Sequence, residues 1–177
     1  MKNCSFLGLL ASCLLVAALP VRAGEFKWET DLAKAQETAK REQKPVFLLF
    51  TGSKWCGVCM ALEKKILATE RFRKFAAGRM VAVKIDFKEP PFQEDGDQQH
   101  AKPLAGADRA KIELAKSYQM NVGQDGKNGL NGYPSVFILS PEGARIGQLE
   151  TDMGAAENGV EPFLKELEKM IAAPAKP

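Results

Sequence analysis

Two short apolar runs punctuate the chain, the continuous "VFLLF" (Val46 to Phe50) and "MVAVKIDF" (Met80 to Phe87), which Lys84 and Asp86 interrupt. A continuous run such as the first predicts a strand covered on both faces, and the second reads as another buried strand. Around them the apolar positions fall at helical spacing. Trp28, Leu32, Ala35 and Ala39 share one face of a predicted N-terminal helix, with Thr30 or Asp31 as its cap. Trp55, Val58, Cys59, Leu62 and Ile66 form a second stripe, predicting a helix to about Leu67, and Thr69 to Gly78 predicts a further turn or two closed by the glycine. "YPSVFIL", "SPEG" and "ARIGQLE" (Tyr133 to Glu150) read as strand, tight turn, strand. Val160, Phe163, Leu164, Leu167, Met170 and Ile171 then mark a final amphipathic helix. With helical character also in "ADRAKIELAKSYQ", the order is α, β, α, β, α, β, β, α. This predicts an α/β fold with a mixed central sheet, helices on both faces and a right-handed crossover joining a central parallel pair.

Two stretches have no such period. Lys88 to Gly106 is rich in Pro, Gly and polar residues, and Asn121 to Gly132 in Gly and Asn. Both are expected to be enlarged loops. The second has the Asn and Asp spacing of a calcium loop but lacks its terminal carboxylate, so turn chemistry accounts for it better. The last residues, 173 to 177, are expected to be a disordered tail.

The first residues carry a different signal. Lys2 precedes the uncharged run Phe6 to Leu19, and Val21, Arg22 and Ala23 suit a signal peptidase. That order predicts a secretory signal peptide over residues 1 to 23, followed by one domain over 24 to 172. A membrane span needs about 20 apolar residues; this run is shorter and broken by Pro20, so no stable span is expected after cleavage. "LASC" (Leu10 to Cys13) resembles a lipobox, which makes lipid anchoring through Cys13 a minor alternative. Export predicts a compartment, most readily a bacterial periplasm, in which disulfides persist. The 25 basic and 22 acidic side chains give a net charge of +3. Losing Lys2 and Arg22 moves the chain nearer neutrality, with no footprint for nucleic acid.

Of the 4 cysteines, Cys4 and Cys13 would leave with the signal peptide. Cys56 and Cys59, in "FTGSKWCGVCMALEKK", are then the whole sulfur chemistry. A zinc site wants four N or S ligands, and beyond this pair there is only His100, so no metal is expected. A disulfide across three residues closes almost no loop and makes a poor staple. A reversible couple fits better. Cys56 opens a helix, where unpaired backbone N–H groups favour thiolate. Cys59 lies on the core-facing stripe and Cys56 outside it, at an exposed first turn. That asymmetry assigns attack to Cys56 and resolution to Cys59.

"WCGVC" between a buried strand and a helix, with "GYPS" opening a later strand, resembles the thioredoxin superfamily. The "KPVFLLF" strand brings the likeness closer to exported disulfide reductases of the Dsb type. The resemblance covers about Trp28 to Ile171 and implies a thioredoxin fold with an extra N-terminal helix and two enlarged loops. It also implies an enzyme that reduces or isomerises disulfides in other exported proteins, without a cofactor and fed by a membrane thiol donor. A disulfide-forming oxidase and a non-catalytic binding or chaperone module are the alternatives; Gly57-Val58 between the thiols, lacking a histidine, sits nearer the reducing members. Trp55, Gly57, Val58, Tyr133 and Pro134 would support the couple, and the resemblance implies that Tyr133–Pro134 is cis, although a strand-initiating turn also accommodates that proline. The family's buried carboxylate, six residues before the first cysteine, is replaced by Phe50. Glu63, one turn after Cys59, is the candidate substitute, against the alternative of a solvated helix-face glutamate beside Lys64 and Lys65.

Overall fold

The computed structural model describes residues 25–90, 108–119 and 132–172. The leader with its cleavage site, Cys4, Cys13 and the lipobox, His100, most of the two enlarged loops and the 173–177 tail lie outside the described residues. The elements are β1 (Trp28–Glu29), α1 (Leu32–Glu42), β2 (Val46–Thr51), α2 (Gly57–Leu62), a π-helical turn (Glu63–Leu67), α3 (Glu70–Ala76), β3 (Val81–Asp86), α4 (Arg109–Ser117), β4 (Ser135–Leu139), β5 (Arg145–Leu149), α5 (Met153–Asn158) and α6 (Val160–Ala172).

The sheet runs β1-β3-β2-β4-β5. β2 is its centre, parallel to β3 on one side and antiparallel to β4 on the other, and all six of its residues are buried. β4 and β5 form the antiparallel hairpin. Alternation along β2 serves two cores. Phe47 and Leu49 face Leu62, Ile66, Phe72, Phe163 and Leu167 from α2, the π turn, α3 and α6. Val46, Leu48 and Phe50 face Ala35, Ala39, Ile112 and Ala115 from α1 and α4. A strand between two such layers has no polar face, which is why its sequence shows no alternation.

Three details differ from the pattern in the sequence. Trp28 is not on the first helix: Asp31 accepts a hydrogen bond from the Lys34 N–H (3.2 Å), so α1 starts after it. The chain before that cap is extended and pairs with β3, with Trp28 packed against Phe26, Phe47 and Phe72. The helix after the cysteines does not stay α-helical; its last turn widens to a π turn, burying the adjacent Ile66 and Leu67 that a 3.6 period points apart. A short helix, α5, also stands between the hairpin and α6. Asp152 caps it, accepting from the Ala155 N–H at 2.8 Å, and Gly159 (φ 84°) ends it. Six residues are too few to show an apolar period.

Candidate redox site

The strand that carries "VFLLF" delivers the turn Gly52–Trp55 to the top of the sheet, and the turn delivers Cys56. Cys56 has extended backbone (φ −89°, ψ 108°) and caps α2: its Sγ accepts the Cys59 N–H at 3.2 Å. Its own N–H bonds to the Gly52 carbonyl at 3.0 Å. Cys56 and Cys59 are joined in a disulfide. The Gly52 N–H reaches Cys59 Sγ at 3.4 Å, so a main-chain donor faces each sulfur. Cys59 is 2% exposed and Cys56 9%. The order of exposure follows the helical stripe, but Cys56 is far less open than an exposed first turn implies. It caps the helix rather than occupying its first turn, and the Tyr133 carbonyl oxygen lies 3.5 Å from its sulfur. After reduction, a Cys56 thiol could donate to that oxygen.

Tyr133–Pro134 is a cis peptide, placed where the resemblance puts one. Its position is fixed from the segment that follows β5: the buried Thr151 hydroxyl donates to the Pro134 carbonyl at 2.6 Å. The Ser135 hydroxyl donates to the Gly132 carbonyl at 2.8 Å. The Tyr133 ring meets Trp55 and Phe87 edge-on, with centroids 5.3 and 5.2 Å away. Its hydroxyl is buried and has no hydrogen-bond partner among the described residues, and burial pushes its pKa up.

Trp55 folds back over the turn that precedes it. A Cβ built on Gly52 would stand 2.4 Å from Trp55 Cε2, so only glycine lets the indole lie there. The indole N–H donates to the Phe87 carbonyl at 2.8 Å. One residue earlier, Asp86 closes β3 and accepts from both the Ser53 N–H (3.0 Å) and the Ser53 hydroxyl (2.7 Å), with Lys88 on the same carboxylate. Burial opposes ionisation of Asp86, but the bonds from Lys88 and Ser53 together outweigh it and hold the carboxyl below its usual range. Gly57 faces open space at the head of α2, and Val58 turns toward a groove.

Phe50 is fully buried against Tyr118 and Phe137, so the expected carboxylate has no equivalent on that strand position. Glu63 is not a merely solvated glutamate. Its carboxylate takes a 2.8 Å bond from Lys84, the one lysine within β3, whose ammonium also sits 4.5 Å from the Trp28 ring centroid. Cys59, Glu63, Lys84 and Asp86 line one cleft of about 410 Å³. A second opening, a groove of about 600 Å³, runs from Val58 past Tyr133 and Pro134 to Thr151 and Met153. Among the described residues no group of three or more His, Cys, Asp and Glu could hold a metal ion, and no helix is long and apolar enough to cross a membrane.

Gly52, Ser53, Lys84, Asp86 and Thr151 carry no motif, and sequence reasoning passed over them. A lone lysine inside "VAVKIDF" and a glycine three residues before the tryptophan were the available signals.

Comparison with known proteins agrees with this geometry. The Disulfide bond reductase DsbH of Chlamydia pneumoniae is 25% identical over 167 residues, covering 87% of this chain and 88% of its own. The Thioredoxin-related protein DsbJ of the same organism is 27% identical over 166 residues; the match takes in 87% of this chain but 42% of that protein. A solved structure of a DsbH oxidoreductase superposes with a TM-score of 0.60 at 23% identity, covering 90% of this chain and 94% of the other, and shows the same fold. The family model for the thioredoxin-like domain matches residues 32–169, from the first residue of α1 nearly to the end of α6, so the chain belongs to the thioredoxin-like domain family.

Proposed function

We propose that this chain exchanges disulfides with exported proteins in the reducing direction, through the Cys56/Cys59 couple. The observation that carries the reading is the pairing itself: a disulfide at the head of α2, with a main-chain donor on each sulfur and the Tyr133 carbonyl 3.5 Å from Cys56. In the reduced protein the Cys56 thiolate attacks one sulfur of a partner disulfide. That S–S bond breaks, a mixed disulfide forms, and the departing partner sulfur takes up a proton. Cys59 loses its proton and attacks Cys56 Sγ, releasing the second partner thiolate. The partner gains two electrons and the chain ends in the oxidised form described above. Returning it to the dithiol needs a donor dithiol, for which a membrane thiol carrier is the fitting class. The reducing direction is supported by the relative named as a disulfide bond reductase, and export by the leader-like residues 1–23.

Glu63 is the proton acceptor we assign to Cys59. It lines the same cleft as the buried sulfur, and Lys84 holds its carboxylate there. Trp55, Gly57, Val58, Tyr133 and Pro134 form the surface against which the partner lies.

Trapping tests the reading. Cys59→Ser is expected to accumulate mixed disulfides through Cys56, detected as reducible adducts by mass spectrometry, and Cys56→Ser to form none. A chain that only binds unfolded partners would yield no adduct in either variant. Glu63→Gln is expected to slow reoxidation of the dithiol by about 10²-fold or less, the lower end of what a positioned base contributes. A rate and pH profile equal to those of the unaltered chain would remove Glu63 from this role.

A further inference from the structure

We propose that the groove between the cis-proline loop and α5 binds an extended segment of the partner polypeptide that carries a basic residue on the groove side of its reacting cysteine. The proposal rests on the exchange reading above and adds the charge order of the substrate. The floor is made of Tyr133, Pro134, Leu149 and Thr151, with Val58 where the groove meets the disulfide. Its rim carries two exposed carboxylates, Glu150 and Asp152, and among the described residues its lining includes no lysine or arginine. Asp152 is engaged in capping α5, whereas Glu150 makes no ion pair among the described residues. Met153, 43% exposed, adds a pliable apolar contact beside them.

The opposite side of the disulfide has the opposite sign. Lys64, Lys84 and Lys88 line the cleft that reaches Cys59; Glu63 and Asp86 in the same cleft pair with Lys84 and Lys88, so the positive balance rests on Lys64 and on the exposed Lys54 in the turn before Cys56. A strand crossing the couple therefore meets an acidic rim on one side of its cysteine and a cleft of net positive balance on the other. Complementary charges at such an edge set orientation and choice of partner more than affinity.

The charge order is directly measurable. The pre-reduced protein is mixed with disulfide-linked homodimers of two short peptides of identical composition. One carries Arg before and Glu after its cysteine; the other carries them reversed. Free thiols are trapped by alkylation and counted by mass spectrometry over time. One order is expected to react about two- to fivefold faster at low ionic strength, the range open to exposed charge pairs. The difference should shrink in about 1 M salt, where charges are screened within about 3 Å. Glu150→Lys, a change at an exposed residue outside the strands, should bring the ratio of the two rates to one or invert it. Equal rates for the two orders, or a ratio untouched by Glu150→Lys, would overturn the charge reading and leave disulfide exchange standing. Absence of exchange with both peptides would overturn the redox reading and this one with it.

Discussion

On the β3 side of the disulfide the backbone is held by polar groups. Asp86 grips Ser53 through two bonds, the Phe87 carbonyl takes the Trp55 indole N–H, and Lys84 reaches Glu63. On the β4–β5 side two buried hydroxyls, those of Thr151 and Ser135, fix the proline loop, and a groove lies open beside it. The first side must keep two N–H donors aimed at two sulfurs, and hydrogen bonds from a neighbouring strand give that directional control. The second side must receive a polypeptide, so it leaves surface free and anchors the loop from behind. Rigid support and open access are thus divided between two strands that never touch, with β2 between them.

The division can be broken from either side. Gly52→Ala should have the largest effect, because the added methyl collides with an indole pinned by Phe87 and Tyr133. A loss of about 1–3 kcal/mol is expected, typical of overpacking, and denaturant unfolding together with Trp55 fluorescence would show it. Survival of full stability would mean that the indole has a second resting place. Thr151→Val removes the bond to Pro134 at nearly constant shape, leaving a buried carbonyl unpaired, and should cost about 1–2 kcal/mol. If the loop is anchored as described, exchange with proteins should weaken too, while a stability change alone would make Thr151 only a core residue.

Asp86→Asn should have the smallest effect, and one that depends on pH. The folded pKa of Asp86 is lowered, so its contribution is fully present above the unfolded value, about 3.9, and is lost as pH falls through the folded one. The melting temperature of the variant should therefore lie below that of the unaltered chain near pH 7 and approach it below about pH 4. A deficit constant across that range would show that the charge of Asp86 contributes nothing and that only its shape does.

Much of this layout is legible in the chain. Short apolar runs identify β2 and β3, and the helical stripes identify α1, α2 and α6, because burial on one or two faces writes itself into side-chain period. The couple is legible as well: two thiols at a helix start, with no further ligand nearby, leave little else to do. Trp28 was misplaced because a residue one turn before a helix shares its period whether or not the helix extends that far, and the Asp31 cap decides the matter. Glu63 could be named as a candidate from its place one turn after Cys59, but its partner lies on a strand twenty-one residues away.

By itself, then, the sequence determines what depends on local spacing: the two helical layers around β2, the place of Cys56 at a helix start and the shelter of Cys59. Only the tertiary structure decides what depends on residues distant along the chain. It sets the closeness of Tyr133 to Cys56, the grip of Asp86 on Ser53, the Lys84–Glu63 pair, and the different charge balance on the two sides of the disulfide. Period records how strongly a side chain is buried, but not which neighbour buries it, and a polar bond between strands leaves no period at all.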